Sequence, residues 1–122
     1  MGVGGGKTVL VVDDDPSLRL LCRVNLELDG YVVVEAASPA EARAALAGVR
    51  IDAMVLDLHL GDEDARDLLA TLGDEAPPVA IFTGSETLSP ELLAAAEVVL
   101  AKPFGLEELR TAVDRLVSLP RV

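Results

Sequence analysis

The sequence predicts an α/β fold, a single domain in which five βα units build a doubly wound parallel sheet with helices on both faces. Three observations predict it. Five short runs of Val, Ile, Leu and Ala alternate in strict order with stretches of helical period. The runs are almost continuously apolar rather than alternating, which is the pattern of strands covered on both faces. Three helix starts are marked by a capping side chain followed by proline, at Asp15-Pro16, Ser38-Pro39 and Ser89-Pro90.

The expected strands are residues 8–13 (TVLVVD), 31–36 (YVVVEA), 52–57 (DAMVLD), 79–83 (VAIFT) and 98–102 (VVLAK). The expected helices are 16–28, 39–47, 64–72, 90–96 and 105–118. Glu41, three residues after Ser38, completes a capping box at the second helix. Gly30 and Gly73 stand where the first and third helices should stop. In the last helix Leu106, Leu109, Val113, Leu116 and Val117 share one face. Residues 1–6 (MGVGGG) read as a flexible tail, 7–119 as the domain and 120–122 as a C-terminal tail. No repeat and no second domain are visible.

A chain of 122 residues suits one compact domain. Only 2% of it is aromatic against 51% apolar, so Leu, Val, Ala and Ile must fill the core. With 21 acidic and 10 basic residues the net charge is −11, which argues against nucleic-acid binding through a basic face. A divalent cation or a basic partner surface fits that balance, although most of the carboxylates serve only solubility. The single cysteine, Cys22, allows no internal disulfide and agrees with a reducing, cytoplasmic location. Lying near Leu18 and Leu21, it reads as a packed core residue. No run is apolar for the roughly 18 residues a membrane span needs, and no signal peptide is apparent at the N-terminus.

The chemistry falls at the strand ends. Asp13, Asp14 and Asp15 close the first strand, Asp57 the third, Thr83 the fourth and Lys102 the fifth. In open parallel sheets ligands bind beyond the carboxyl ends of the strands. Carboxylates and an amine ending apolar runs are unfavourable unless they pair or bind an ion. Asp15, directly before Pro16, is assigned to helix capping. Asp13, Asp14 and Asp57 would suit magnesium, a hard cation that takes oxygen ligands and retains water. Lys102, set between an apolar strand and Pro103-Phe104, would face carboxylates and an incoming phosphoryl group. Thr83 would offer a hydroxyl to the same group. A carboxylate nucleophile, a metal, a lysine and a hydroxyl together describe phosphoryl transfer to aspartate. GGGKT near the start only echoes a phosphate-binding loop: Met1 stands where the first glycine is needed, and Lys7-Thr8 leads into a strand rather than a helix.

Four segments, VLVVDDDPSLR, MVLDLHLGDEDARDLL, IFTG and AKPF, occur in order at suitable spacings and resemble the receiver domain of two-component response regulators, the CheY-like superfamily. The resemblance covers nearly the whole chain and implies a flavodoxin-like strand order, 2-1-3-4-5. It implies that Asp57 forms an acyl phosphate. Asp14 would ligate Mg2+ directly, Asp13 largely through water, and His59 by its backbone carbonyl. Thr83 and Lys102 would contact the phosphoryl group, and the peptide before Pro103 would be cis. His59 and Ser85 occupy positions that tune the lifetime of the phosphoryl group, and His59 reads chiefly as an exposed loop residue.

The sequence departs from the family pattern in places. Leu60-Gly61 replaces a residue-proline pair, Asp64-Ala65 replaces Asp-Gly, and Val99 stands where a switch aromatic is usual. The segment between Thr83 and Lys102 leaves room for only a short fourth helix.

The implied partners are a sensor histidine kinase or a histidine phosphotransfer protein and an unidentified downstream protein. This domain alone is expected to bind neither DNA, since no helix pair for that purpose follows residue 119, nor membrane. A phosphorelay receiver of a hybrid kinase is the alternative role. An aspartate-nucleophile phosphatase is disfavoured because DDDPS lacks the D-x-D-x-T pattern. A vestigial scaffold is disfavoured because every acidic and lysine position is filled. No enzymatic role is expected beyond the domain's own phosphorylation and dephosphorylation.

Overall fold

A computed structural model describes residues 5–60, 63–84 and 88–119, with only the backbone described at Glu63 and Asp64. Gly61, Ser85, most of the N-terminal tail and the C-terminal tail lie outside the described residues.

The elements follow in the order β1 (Thr8–Val12), α1 (Pro16–Leu28), β2 (Val32–Ala36), α2 (Pro39–Gly48) and β3 (Ala53–Asp57). After these come β4 (His59–Leu60), β5 (Glu63–Asp64), α3 (Ala65–Leu72), β6 (Val79–Thr83), α4 (Pro90–Ala95), β7 (Val98–Ala101) and α5 (Leu106–Ser118). The main sheet is parallel throughout and ordered β2-β1-β3-β6-β7. Counting its strands alone, this is the expected 2-1-3-4-5 order.

Period-two side-chain alternation divides the apolar strands between two cores. Leu10, Val12, Met54, Leu56 and Ile81 face one side and pack with Ala42, Leu68 and Leu92 of α2, α3 and α4. Val9, Val11, Val55, Ala80 and Phe82 face the other and pack with Cys22 and Leu26 of α1 and Leu109, Val113 and Leu116 of α5. The central strands β1, β3 and β6 are covered on both faces, as expected. The edge strands β2 and β7 are not, because each has a neighbour on one side only and several of their residues are partly exposed. Val99 lies on this open part of β7.

The caps follow the sequence closely. Asp15 Oδ1 accepts from Ser17 N–H at 2.9 Å, Ser38 Oγ from Glu41 N–H at 3.2 Å and Ser89 Oγ from Leu92 N–H at 3.3 Å. Glu41 reaches back to the Ala37 N–H, one residue before the position a capping box uses. Gly30 (φ 91°) and Gly73 (φ 54°) close α1 and α3 in the left-handed region that glycine enters freely.

Two features were not expected. The antiparallel ribbon β4–β5 occupies what reads as a loop leading into a helix at residue 64, and α3 starts at Ala65, whose N–H bonds the Leu58 carbonyl. At the other end of the sheet the Tyr31 hydroxyl donates to Asp114, and Arg110 pairs with Asp29 at 2.6 Å. These two bonds tie α5 to the turn between α1 and β2.

Cys22 is fully buried, and burial, reinforced by the Asp13 carboxylate, pushes its thiol up to about 12. Its thiolate is therefore scarce in the native state. At pH 8 the folded protein should react with Ellman's reagent at least about 100-fold more slowly than the urea-unfolded chain. Fast labelling of the native protein would contradict this packing.

Candidate functional site

Sheet register brings the strand ends into one row. Val12 pairs with Leu56, Asp57 with Phe82, and Thr83 with Ala101. Asp13 and Lys102 each lie one residue past the end of a strand, so both reach the same carboxyl edge as Asp57 and Thr83. Asp13, Asp57 and Thr83 are buried, and Asp14 and His59 are exposed.

Asp57 is oriented from two sides. Its Oδ1 accepts from the His59 N–H at 3.1 Å, and its Oδ2 lies 2.6 Å from Lys102 Nζ. The same amine stands 4.0 Å from Asp13 Oδ2. Backbone pairing places it there: the Lys102 N–H bonds the Thr83 carbonyl at 2.8 Å and extends the β6–β7 ladder. The Lys102-Pro103 peptide is cis, as the resemblance implied. Phe104 packs on Phe82, ring centroids 4.3 Å apart, and seats the segment after Lys102 against β6. The Lys102 side chain remains 34% exposed, so it leans across the site mouth and is less enclosed than the sequence suggested.

Asp13 shows the strain of this crowding. Its Oδ1 accepts from the Asp15 N–H at 2.9 Å, while its Oδ2 is buried and has no hydrogen-bond donor among the described residues. Burial raises its pKa to about 6; the Asp15 N–H and the Lys102 charge work against that shift, and the nearby Asp57 charge adds to it. Burial alone would lower the Lys102 pKa, but the Asp57 hydrogen bond and the charges of Asp57, Asp13 and Asp14 outweigh it and move it upward.

One carboxylate oxygen from each of Asp13, Asp14 and Asp57 lies within 4.8 Å of the others. Three carboxylates supply hard oxygen donors, and the Asp13 group has a buried oxygen with no donor among the described residues, which fits a cation such as Mg2+. The exposure of Asp14 leaves one side open to the waters such an ion keeps. Asp13, Asp14, Asp57, Thr83 and Lys102, which the sequence pointed to, therefore converge on one edge, with His59 beside Asp57.

Two residues at this edge escaped the sequence reading. Arg19 Nη1 donates to the Asp13 carbonyl at 2.7 Å, and Glu35 receives both Arg19 (3.3 Å) and Arg23 (3.1 Å). The available signals were an arginine one turn past a cap and an acid inside an apolar strand.

Residues 9–114 match the family model described as the response regulator receiver domain. The chain is 38% identical over 115 residues to the transcriptional regulatory protein KdpE of Mycobacterium tuberculosis, covering 88% of this chain and 51% of that protein. It is 39% identical over 116 residues to the response regulator MprA of Mycobacterium ulcerans, covering 89% and 49%. It therefore spans about half the length of these regulators. Among solved structures, the non-phosphorylated HemR receiver domain of Leptospira biflexa superposes with a TM-score of 0.82 at 30% identity, covering 95% of this chain and 98% of that one. The chemotaxis protein CheY4 of Vibrio cholerae gives 0.79 at 28% identity, with 91% and 98% covered. A family match across most of the chain, joined to the sheet order and the acidic edge, makes this chain a member of the response regulator receiver domains of two-component systems.

Proposed function

We propose that Asp57 accepts a phosphoryl group from a phosphohistidine on a sensor histidine kinase, and that the modified domain binds a downstream protein differently. One observation carries the reading. The Asp57 carboxylate is held between the His59 N–H and the Lys102 amine, beside an Asp13 oxygen that has no donor among the described residues.

In the transfer, an Asp57 oxygen attacks phosphorus, the phosphorus–nitrogen bond breaks, and the imidazole leaves as an acyl phosphate forms. Asp13, Asp14 and Asp57, with the His59 carbonyl, would hold Mg2+. When bound, the ion supplies neutralisation of charge on the phosphoryl oxygens. Lys102 starts as the partner of Asp57 and would follow the phosphoryl oxygens as negative charge moves onto them. Thr83, ending the neighbouring strand, would offer its hydroxyl to the same group. Hydrolysis by water restores Asp57 and releases inorganic phosphate. The domain is taken as residues 7–119, working in the cytoplasm.

The direct test supplies a small phosphodonor such as acetyl phosphate with Mg2+. A mass gain of one phosphoryl group, located to Asp57 and labile to base and hydroxylamine, is expected. Failure to take up phosphate or beryllofluoride would turn the reading toward a phosphorylation-independent scaffold.

The kinase face is proposed from exposed apolar side chains on α1. Leu20, Val24 and Leu28 recur at one-turn intervals, with Leu21 beside them, on the helix that begins next to Asp13 and Asp14. A phosphohistidine-bearing helical surface laid along this stripe would bring its phosphoryl group to Asp57. Val24→Glu should slow transfer from the kinase by about tenfold or more while leaving the acetyl phosphate rate unchanged. An equal loss with both donors would place the defect at the site instead.

A second reading, that of a phosphorelay intermediate, is favoured by Val99. A valine on the open part of β7 has no ring to carry a change from the site to the surface. Rapid transfer from phosphorylated Asp57 to a histidine phosphotransfer protein would distinguish this role.

A further inference from the structure

We infer that Arg19 is a positioning residue for the cation site, holding the Asp13 main chain so that the Asp13 carboxylate stays gathered with those of Asp14 and Asp57. This rests on the proposed metal-dependent role of the carboxylate edge and deepens it.

Asp13 lies one residue beyond β1, where strand pairing ends. Its N–H is still bound by the Ala36 carbonyl at 3.1 Å. Its own carbonyl is bound instead by Arg19 Nη1 at 2.7 Å, reached from the first turns of α1. A buried carbonyl otherwise needs a donor, and a charged one gives a shorter, stronger bond. Arg19 is itself fixed, since its Nε pairs with Glu35 at 3.3 Å and its side chain is only 17% exposed. Glu35 directly precedes Ala36, so two consecutive residues of β2 hold Asp13, Ala36 by accepting the Asp13 N–H and Glu35 through the guanidinium. On the side-chain side, Oδ1 is occupied by the Asp15 N–H. With main chain and Oδ1 both fixed, the orientation of Oδ2 is determined before any cation arrives. Outer partners of this kind orient the groups that bind the metal, and their loss commonly weakens metal affinity about 10- to 100-fold.

The sign of the effect separates positioning from simple electrostatics. Arg19 carries a positive charge close to a cation site, so Coulomb's law alone predicts tighter Mg2+ binding when that charge is removed. Positioning predicts weaker binding. Arg23 shares the Glu35 carboxylate and pairs otherwise with Glu27 along α1, which makes it the matched control.

The experiment is calorimetric titration of the full chain with MgCl2, in wild type, Arg19→Gln, Arg19→Lys and Arg23→Ala, each checked for folding by urea denaturation. Arg19→Gln should raise the Mg2+ Kd about tenfold. Arg19→Lys keeps the charge but has no fork to hold Asp13 and Glu35 together, and should raise it about threefold. Arg23→Ala should leave it unchanged. Saturating Mg2+ should restore the acetyl phosphate labelling rate of Arg19→Gln to that of wild type. A native or tighter Kd in Arg19→Gln overturns the inference, as does an equal loss in Arg23→Ala. Should Arg19→Gln fail to fold, a native Kd in Arg19→Lys overturns it. A wild-type chain that takes up no Mg2+ removes the metal reading itself, whereas normal wild-type binding with an unaffected Arg19→Gln removes only the role of Arg19.

Discussion

Asp57→Asn is expected to reduce phosphoryl uptake from acetyl phosphate by at least about 1000-fold while leaving the domain folded. An amide nitrogen or oxygen at this position is too weak a nucleophile to displace the leaving group. Two effects on stability oppose each other. The substitution weakens the 2.6 Å contact with Lys102, since a neutral acceptor replaces a charged one. It also removes a like charge whose proximity helps raise the Asp13 pKa. The free energy of unfolding without metal should therefore change by no more than about 1 kcal/mol. The checks are a phosphoprotein mass measurement and a urea transition. Residual uptake near the wild-type rate would mean that another carboxylate accepts the group. A collapse of the fold would mean that Asp57 is structural first.

How far this site was legible in the sequence follows from the physics of a parallel sheet. A central strand must be apolar on both faces, so TVLVV, AMVLD and VAIFT stand out, and whatever polar residue ends each run falls on a common edge. Asp13, Asp57, Thr83 and Lys102 could thus be grouped from position alone. Edge strands carry a weaker signal, and Glu35 within β2 shows why: a partly open strand tolerates an acid that a central one would exclude.

The ribbon at His59–Leu60 and Glu63–Asp64 could not be read, because two-residue strands have no period. Nor could contacts between residues far apart in the chain, such as Arg110 with Asp29 or Tyr31 with Asp114, which depend on α5 docking against α1. Arg19 was hidden for a different reason. An arginine on a helix reads as solvated, and only the path of the chain after β1 shows a carbonyl waiting for it.

Lys102→Ala should split two properties that the amine serves in opposite senses. Lys102 Nζ sits 2.6 Å from Asp57 Oδ2 and 4.0 Å from Asp13 Oδ2, so it occupies the space and the charge that a cation would share. Removing it should leave the Mg2+ Kd unchanged or make it tighter, while phosphoryl uptake falls about 100-fold because charge moving onto the phosphoryl oxygens loses its neutralising amine. Stability adds a pH signature. The folded Asp13 pKa of about 6 lies above its ordinary 3.8, so this group favours folding fully below about pH 4 and loses that contribution as pH rises through about 6. Lys102 is one of the groups holding that pKa down, and its loss pushes it higher. Without metal, Lys102→Ala should therefore destabilise by about 1 kcal/mol at pH 7.5, a modest figure because the amine is partly exposed and screened. At pH 5 the effect should be smaller, since a proton on the cluster replaces the lost charge. Added Mg2+ at pH 7.5 should recover the deficit by binding only the folded state. Parallel loss of Mg2+ affinity and phosphoryl uptake in Lys102→Ala would show instead that the amine builds the cation site rather than competing with its occupant.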